Sequence, residues 1–244
     1  MKQLEPERLC ERLSTQRLRY MSLFHEVKRQ LFENEAFAND SESCFALVTH
    51  YPYGPAASFT QYDPVFLKEL LRRYPKINFS LDMPPGAQPQ VERMRGLKQH
   101  SIPTVCFAYE GEAPAAPVDP HIRPLAKSEF DLLRPIVDHQ DNLVYAEKAF
   151  VWSEGAQITG YLCCSPNFDD IWDVNHIFTL PGHRGHGIGT ALAYAYLKTM
   201  REQGLVPYYS GVTNPASAAA ARKAGFQPCR TSYAFQYKKP KFIS

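Results

Sequence analysis

The residue types that could do chemistry are densest in Leu180-Pro181-Gly182-His183-Arg184-Gly185-His186-Gly187-Ile188-Gly189-Thr190. Gly185, Gly187 and Gly189 let the backbone turn so that successive N–H groups point into one concavity. A helix starting at the end of such a turn adds its unpaired N–H groups and the positive end of its dipole. Together these suit a pyrophosphate, and Arg184 adds a fixed positive charge at the mouth. A glycine-rich turn that merely joins two elements would have the same composition. The spacing excludes two other phosphate loops. A Walker loop needs a lysine after its glycines, and none follows here. A dinucleotide fingerprint counted from Gly185 puts Thr190 where its third glycine belongs. What remains is R-x-x-G-x-G, with a proline three residues ahead of the arginine.

Three histidines, His176, His183 and His186, invite a metal reading. Two of them lie inside the glycine turn, and the spacing offers no common carboxylate to complete a tetrahedral shell. No metal is expected. Cys163-Cys164 are adjacent in a strand-like stretch, so their side chains point to opposite faces and at least one is expected in the core. Tyr194, Tyr196, Tyr208 and Tyr209 are expected to pack rather than to bind.

The elements that must position the turn can be read around it. Residues 172–180 read as a strand leading in. Ile188, Ala191, Leu192, Ala195 and Thr199 keep one helical face leading out, with Gly204 just past the end. A strand at 207–212, a helix at 216–224 and a last strand at 231–237 follow. Upstream, Ile122-Arg123-Pro124-Leu125 reads as a short strand. Ser128 with Asp131 resembles a capping box for a helix through Leu132, Leu133, Ile136 and Val137. Residues 149–153 and 157–164 flank Glu154-Gly155-Ala156 as a hairpin. The order is β-α-β-β-β-α-β-α-β, so the sheet is expected to be mixed rather than doubly wound.

Ahead of this lies Gly111-Glu112-Ala113-Pro114-Ala115-Ala116-Pro117-Val118-Asp119-Pro120, a proline-rich stretch without apolar period. It is expected to link two units: an N-terminal α/β domain at residues 1–112, a linker at 113–121 and a second domain at 122–244. In the first, residues 1–35 look helical. Asp63-Pro64 reads as an N-cap with proline at the first helical position, and Pro75 ends that helix. Ile77, Phe79 and Leu81 alternate as a strand. A helix near 88–99 and a strand with Val105, Phe107 and Tyr109 follow. Tyr51, Tyr53 and Tyr62 cluster around Pro52, Gly54 and Pro55, and this half is expected to help wall a pocket for a second substrate.

The composition bounds the function. The 244 residues carry 27 Lys+Arg against 25 Asp+Glu, a net charge of +2, which argues against nucleic acid as the main partner. Apolar residues at 44% and aromatics at 13% supply a core and argue against disorder. No apolar run approaches a membrane span, and the first residues hold no apolar signal region. Six cysteines without a C-x-x-C fit a reduced, cytoplasmic setting.

The loop and a second segment together resemble the GNAT superfamily of N-acetyltransferases. Arg184, Gly187 and Gly189 match the family's [QR]-x-x-G-x-[GA]. Asn214-Pro215-Ala216-Ser217 and Gly225-Phe226 are similar to its N-x-x-[AS]-…-G-F segment, in the right order and with the right elements between. The resemblance covers roughly residues 122–244. A separate half ahead of it is similar to a two-part subgroup that includes zwittermicin-type resistance acetyltransferases. The fold implied is a mixed central sheet flanked by helices, the GNAT fold, preceded by a smaller α/β domain.

The resemblance implies an acyltransferase that moves an acetyl group from acetyl-CoA, as cosubstrate, to a primary amine of a small molecule or peptide. The alternative is an acyl-CoA-binding sensor or interaction module that has lost catalysis. Main-chain groups of Phe178, Thr179 and Leu180 would pair with the pantetheine as an added strand. Arg184, Gly185, His186, Gly187, Ile188, Gly189 and Thr190 would hold the pyrophosphate. Asn214 would reach the pantetheine side, with Ser217 assisting. Asp173 stands where many relatives carry a carboxylate and is the candidate base. The family's acid, a tyrosine, is replaced by Ala221, so Tyr209, Tyr233 or water would have to serve. The partners implied are an amine acceptor and no nucleic acid or membrane, with oligomerisation allowed.

Overall fold

The computed structural model describes residues 1–83, 87–94, 97–99, 103–137 and 141–237. The chain divides into two compact units, one of residues 1–104 with 230–244, the other of residues 105–229.

The first unit is built from β1 (Lys2–Leu4), α1 (Pro6–Leu13), α2 (Met21–Arg29), β2 (Asn34–Ala38), β3 (Phe45–Tyr51), β4 (Gly54–Phe59), α3 (Pro64–Arg73), β5 (Asn78–Leu81), α4 (Gln88–Glu92) and β6 (Leu97–Gln99). Strands β1 to β4 form an antiparallel meander and β4 pairs β5 in parallel. Alternation along the strands gives each face its own core. Ala36, Ala38, Phe45 and Leu47 pack on Leu9, Leu13, Leu23 and Val27 of α1 and α2. Phe37, Ala46, Val48 and Phe59 pack on Phe66, Leu67, Leu70 and Leu71 of α3. Asp63 caps α3 as expected, its Oδ1 accepting from Val65 N–H at 2.9 Å and Phe66 N–H at 3.0 Å. The helical reading of residues 1–35 holds only for α1 and α2. The helix read near 88–99 ends at Glu92 and gives way to β6.

The second unit holds β7 (Thr104–Ala108), β8 (Ile122–Leu125), a 3₁₀ segment (Lys127–Leu133), α5 (Asp141–Val144), β9 (Lys148–Glu154), β10 (Gln157–Pro166), β11 (Ile171–Thr179), a 3₁₀ turn (Pro181–His183), α6 (Ile188–Glu202), β12 (Val206–Val212) and α7 (Pro215–Ala224). Its sheet runs β7-β12-β11-β10-β9-β8, with β11–β12 parallel and the other pairs antiparallel. The sheet is mixed, as the element order required. One face packs on α6 and α7 through Leu162, Val174, Leu192, Tyr196 and Phe226. The other face packs under the 3₁₀ segment through Tyr161, Cys163, Phe130 and Leu133. Cys163 and Cys164 are both buried, one in each core.

Three expectations shift here. The helix expected through Leu132, Leu133, Ile136 and Val137 is instead the 3₁₀ segment Lys127–Leu133 followed by a turn over residues 134–136, and Glu129 rather than Asp131 closes the segment's start by accepting from Ala126 N–H at 3.0 Å. The last strand, β13 (Gln227–Tyr237), starts earlier than expected, and the boundary between the units falls inside it. Its residues Tyr233, Ala234 and Phe235 pair with β5. Buried Arg230 bonds Asp82 at 2.7 Å, Ser22 Oγ at 3.0 Å and the Phe59 carbonyl at 3.3 Å, all within the first unit. Residues 113–121, expected as a linker, lie inside the second unit. Tyr194, Lys198 and Arg201 of α6 donate to the carbonyls of Ala116 (2.7 Å), Pro114 (2.6 Å) and Gly111 (2.6 Å).

Candidate active site

The site grows from one irregularity of the sheet. Strands β11 and β12 pair only at Ile171–Val206, Trp172–Pro207 and Asp173–Tyr208. Beyond that rung β11 continues to Thr179 and β12 to Val212 without pairing, so the two parallel strands diverge. Asn175 contributes to the divergence. The β10 register pairs Cys164 with Val174 and Cys163 with His176, which leaves Asn175 as a bulge.

The divergence bares one edge of β11. Leu180 N–H donates to the Thr159 carbonyl at 2.9 Å, so Leu180 faces β10. Antiparallel pairing alternates, so Phe178 also spends its main-chain groups on β10, and Ile177 and Thr179 present theirs to the opening. Arg184 Nε uses the Thr179 carbonyl, at 3.0 Å, and its guanidinium lies 5.7 Å from the centre of the Phe178 ring.

The glycine turn sits at the open end. Gly185 (φ 86°) and Gly187 (φ 83°) both take the left-handed conformation, Gly187 as the N-cap of α6. The first turn of α6 comes down close on the sheet because β10 has glycine beneath it. A Cβ on Gly160 would lie 2.7 Å from Ile188 Cγ2. Across the opening, Asn214 caps α7, its Oδ1 accepting from Ala216 N–H at 2.8 Å. Ala216, Ala219 and Ala220 turn small side chains toward the same space.

A cleft of about 610 Å³ results. Of the residues expected to hold a donor, Phe178, Thr179, Arg184, Gly185, Gly187, Ile188, Gly189, Thr190, Asn214 and Ser217 line it. Leu180 and His186 do not. Leu180 has its N–H committed to β10, and exposed His186 lies 3.3 Å from the His183 carbonyl. Residues not foreseen join the lining: His176, Ile177, His183 and Lys223, with the three alanines of α7. The alanines could have been found from their i, i+3, i+4 spacing. Ile177 could not, because the direction of its main-chain groups depends on the parity of the β10–β11 register.

Asp173 lies at the closed end, outside the lining. It is half-buried, its Oδ1 accepting from Ser210 N–H at 3.0 Å and its Oδ2 from Ser210 Oγ at 2.6 Å and Asn167 Nδ2 at 3.1 Å. Burial pushes its carboxyl up to about 6, against the hydrogen bonds that favour its charged form. Ala221 is fully buried in the core that α7 shares with α6. Burial raises the Tyr209 phenol to about 12, which makes it a poor acid. Tyr233 is in the core of the first unit. Among the described residues no three His, Cys, Asp or Glu side chains gather as a metal ion would need, and no helix is long and apolar enough to cross a membrane.

Residues 115–226 match the model of the acetyltransferase (GNAT) family. They form a GNAT acetyltransferase domain. The enzyme class follows: an acyltransferase, with the cleft in the part of the GNAT domain where β11 and β12 part. No curated protein matches the chain at a significant level. Solved structures resemble it in fold along nearly its whole length. A GNAT-family acetyltransferase from Colwellia psychrerythraea has 13% identity and TM-score 0.57, covering 97% of this chain and 99% of that one. A GCN5-related N-acetyltransferase from Kribbella flavida has 12% identity and TM-score 0.55, over 92% and 98%. A GCN5-related N-acetyltransferase-like protein from Streptococcus suis has 11% identity and TM-score 0.53, over 96% and 100%. None of these likenesses points to the zwittermicin-type subgroup.

Proposed function

We propose that the GNAT domain transfers an acetyl group from acetyl-CoA to a primary amine of a small molecule or peptide. One observation carries the reading: the bare edge of β11 runs directly into the left-handed glycine turn that opens α6. A ligand lying along that edge would meet main-chain donors and acceptors of Ile177 and Thr179 first. It would then meet the N–H groups of the turn, with the Arg184 guanidinium beside them. A polyamide arm ending in a pyrophosphate has that order of groups.

The chemistry asked of the residues is modest. A thioester supplies an activated carbonyl and a leaving thiolate. An amine with a pKa of about 10.4 is mostly protonated at pH 7, which costs roughly 4–5 kcal/mol unless a base takes the proton. Asp173, ionised above about pH 6, is the group that receives it, relayed by water at the closed end of the opening. Ser210 and Asn167 fix the carboxylate, leaving a lone pair on Oδ1. Negative charge growing on the carbonyl oxygen meets N–H groups on the free edge of β11. With alanine at 221, the thiolate departs without a protein acid; thiols ionise near pH 8.5, so this adds little to the barrier.

The test is release of free thiol from acetyl-CoA on incubation with a panel of primary amines. Amine-dependent release is expected. Tight binding of acetyl-CoA with no release from any amine would favour a sensor, and no binding would remove the donor.

A further inference from the structure

The six cysteines are all free thiols. Four of them are poor candidates for redox chemistry. Burial pushes the Cys10 and Cys44 thiols up to about 11 and that of Cys163 up to about 12, so the reactive thiolate is scarce. Burial raises Cys164 as well, and it lies in the opposite core from its neighbour Cys163. Cys106 of β7 and Cys229 of β13 are different. Both belong to the second unit, both are partly exposed, and they touch: the Cys229 thiol donates to the Cys106 carbonyl at 3.3 Å. The start of β13 runs beside β7. Neighbouring strands lie about 4.7–4.9 Å apart, within the span of about 4.4–6.8 Å that a disulfide bridges between Cα atoms.

The pair stands next to the residue that holds Asp173. Strand β7 pairs with β12 at Phe107–Tyr209 and Val105–Val212, so Cys106 faces both Ser210 and Gly211. Gly211 takes the left-handed conformation, φ 66°, which lets two residues fit opposite one. Ser210 is the residue whose N–H and Oγ hold the Asp173 carboxylate, at 3.0 and 2.6 Å. The buried Tyr208 phenol is in hydrogen-bond contact with the Cys106 thiol, and Tyr208 is the rung partner of Asp173. A covalent tie on Cys106 therefore acts on the bulge that carries the partners of Asp173.

We propose that Cys106 and Cys229 form an oxidation site, whose intramolecular disulfide slows acetyl transfer by shifting Ser210 against Asp173. The oxidant is a peroxide. One thiolate attacks it, the O–O bond breaks and hydroxide leaves, giving a sulfenic acid. The second thiol attacks that sulfur, the S–S bond forms, and the oxygen departs as water. The two thiols lose two electrons and two protons, and the peroxide is reduced to two waters. The effect on rate rests on the reading of Asp173 as the base of the proposed transfer; the bridge itself does not.

Oxidation of the full chain with hydrogen peroxide tests it, followed by alkylation, peptide mapping and assay of the acetylated amine by mass spectrometry. Wild type is expected to lose two hydrogens and to link the Cys106 and Cys229 peptides. Its kcat is expected to fall about tenfold or more at unchanged affinity for acetyl-CoA, a part of what a general base supplies. Dithiothreitol is expected to reverse both changes. Cys106→Ser and Cys229→Ser are each expected to keep the basal rate and to resist peroxide. No Cys106–Cys229 link, or links mainly elsewhere, would overturn the inference. A complete link with an unchanged rate would do the same, as would an equal loss of rate in either serine variant. A chain that forms the link but transfers no acetyl group before oxidation would overturn the proposed function and leave the oxidation site standing.

Discussion

The Tyr196 hydroxyl donates to the Trp172 carbonyl at 2.5 Å and accepts from Tyr208 N–H at 3.3 Å. A fully buried side chain of α6 thus touches both parallel strands at the last rungs before they part. The helix that carries the glycine turn is tied to the point where the opening begins. Tyr196→Phe keeps the ring and removes both bonds. A loss of about 1–3 kcal/mol is expected, since a buried carbonyl is left short of a partner. Urea unfolding should show a lower midpoint at unchanged slope. A midpoint equal to wild type would mean that the hydroxyl does not brace the rung.

Gly160 sets how low the first turn of α6 can sit. A Cβ there meets Ile188 Cγ2 at 2.7 Å, and a β-branched side chain at a helix start has little freedom to yield. Gly160→Ala is expected to cost about 1–3 kcal/mol, as overpacking does, and to weaken acetyl-CoA binding by lifting the turn. Adding Ile188→Ala should restore part of the affinity. No weakening in Gly160→Ala would show that the turn is positioned by something else.

As the proposed base, Asp173 is expected to give the rate its pH dependence. A carboxyl near 6 should produce an acid limb with that apparent pKa, kcat/KM falling about tenfold per unit below it. Asp173→Asn is expected to lower the rate at pH 7.5 by about 10²–10⁴ and to flatten the limb. Its effect on stability has the opposite sign. A folded-state value raised from 3.8 to about 6 contributes stability that is complete below the lower value and lost as pH rises through the higher one. At pH 7.5 the asparagine variant should therefore be no less stable than wild type in thermal melts, so a fallen rate cannot be blamed on unfolding.

Arg230 and Asp82 form a buried pair in the first unit, 7% and 6% exposed. Arg230→Ala leaves Asp82, among the described residues, with the partly exposed Arg19 at 3.3 Å, and is expected to cost about 3–5 kcal/mol. Arg230→Met with Asp82→Leu should recover most of that loss. A fragment of residues 118–244 is expected to aggregate, because Tyr233–Phe235 would lose β5 as their pairing partner. A soluble, monomeric fragment would contradict it.

Local signals were legible where local chemistry makes the structure. The Asp63 cap, the hairpin at Glu154-Gly155-Ala156 and the turn from Arg184 to Gly189 each follow from residues a few positions apart. The meander of β2, β3 and β4 was not read, because its strands are defined by pairing with one another more than by propensity. The same limit hid the division inside β13, whose second half is claimed by β5 through Tyr233–Phe235. At the site, the sequence does not tell that the main chain of Ile177, and not that of Leu180, faces the opening, because a one-residue change of register exchanges which groups do. The proline-rich segment looked like a linker because its ties are three carbonyls, and carbonyls have no letter in a sequence.

The most direct measurement is the affinity of the glycine turn for acetyl-CoA in a matched pair of variants. Gly187 has φ 83°, a conformation that asparagine and aspartate tolerate about equally, so Gly187→Asn and Gly187→Asp carry the same backbone strain and differ in charge. Calorimetry at fixed ionic strength is expected to show acetyl-CoA binding in wild type, weaker binding in Gly187→Asn, and none in Gly187→Asp, whose carboxylate would stand at the position proposed for the pyrophosphate. Equal affinity in the two variants would contradict an anion at the turn, and with it the place of the donor in the cleft.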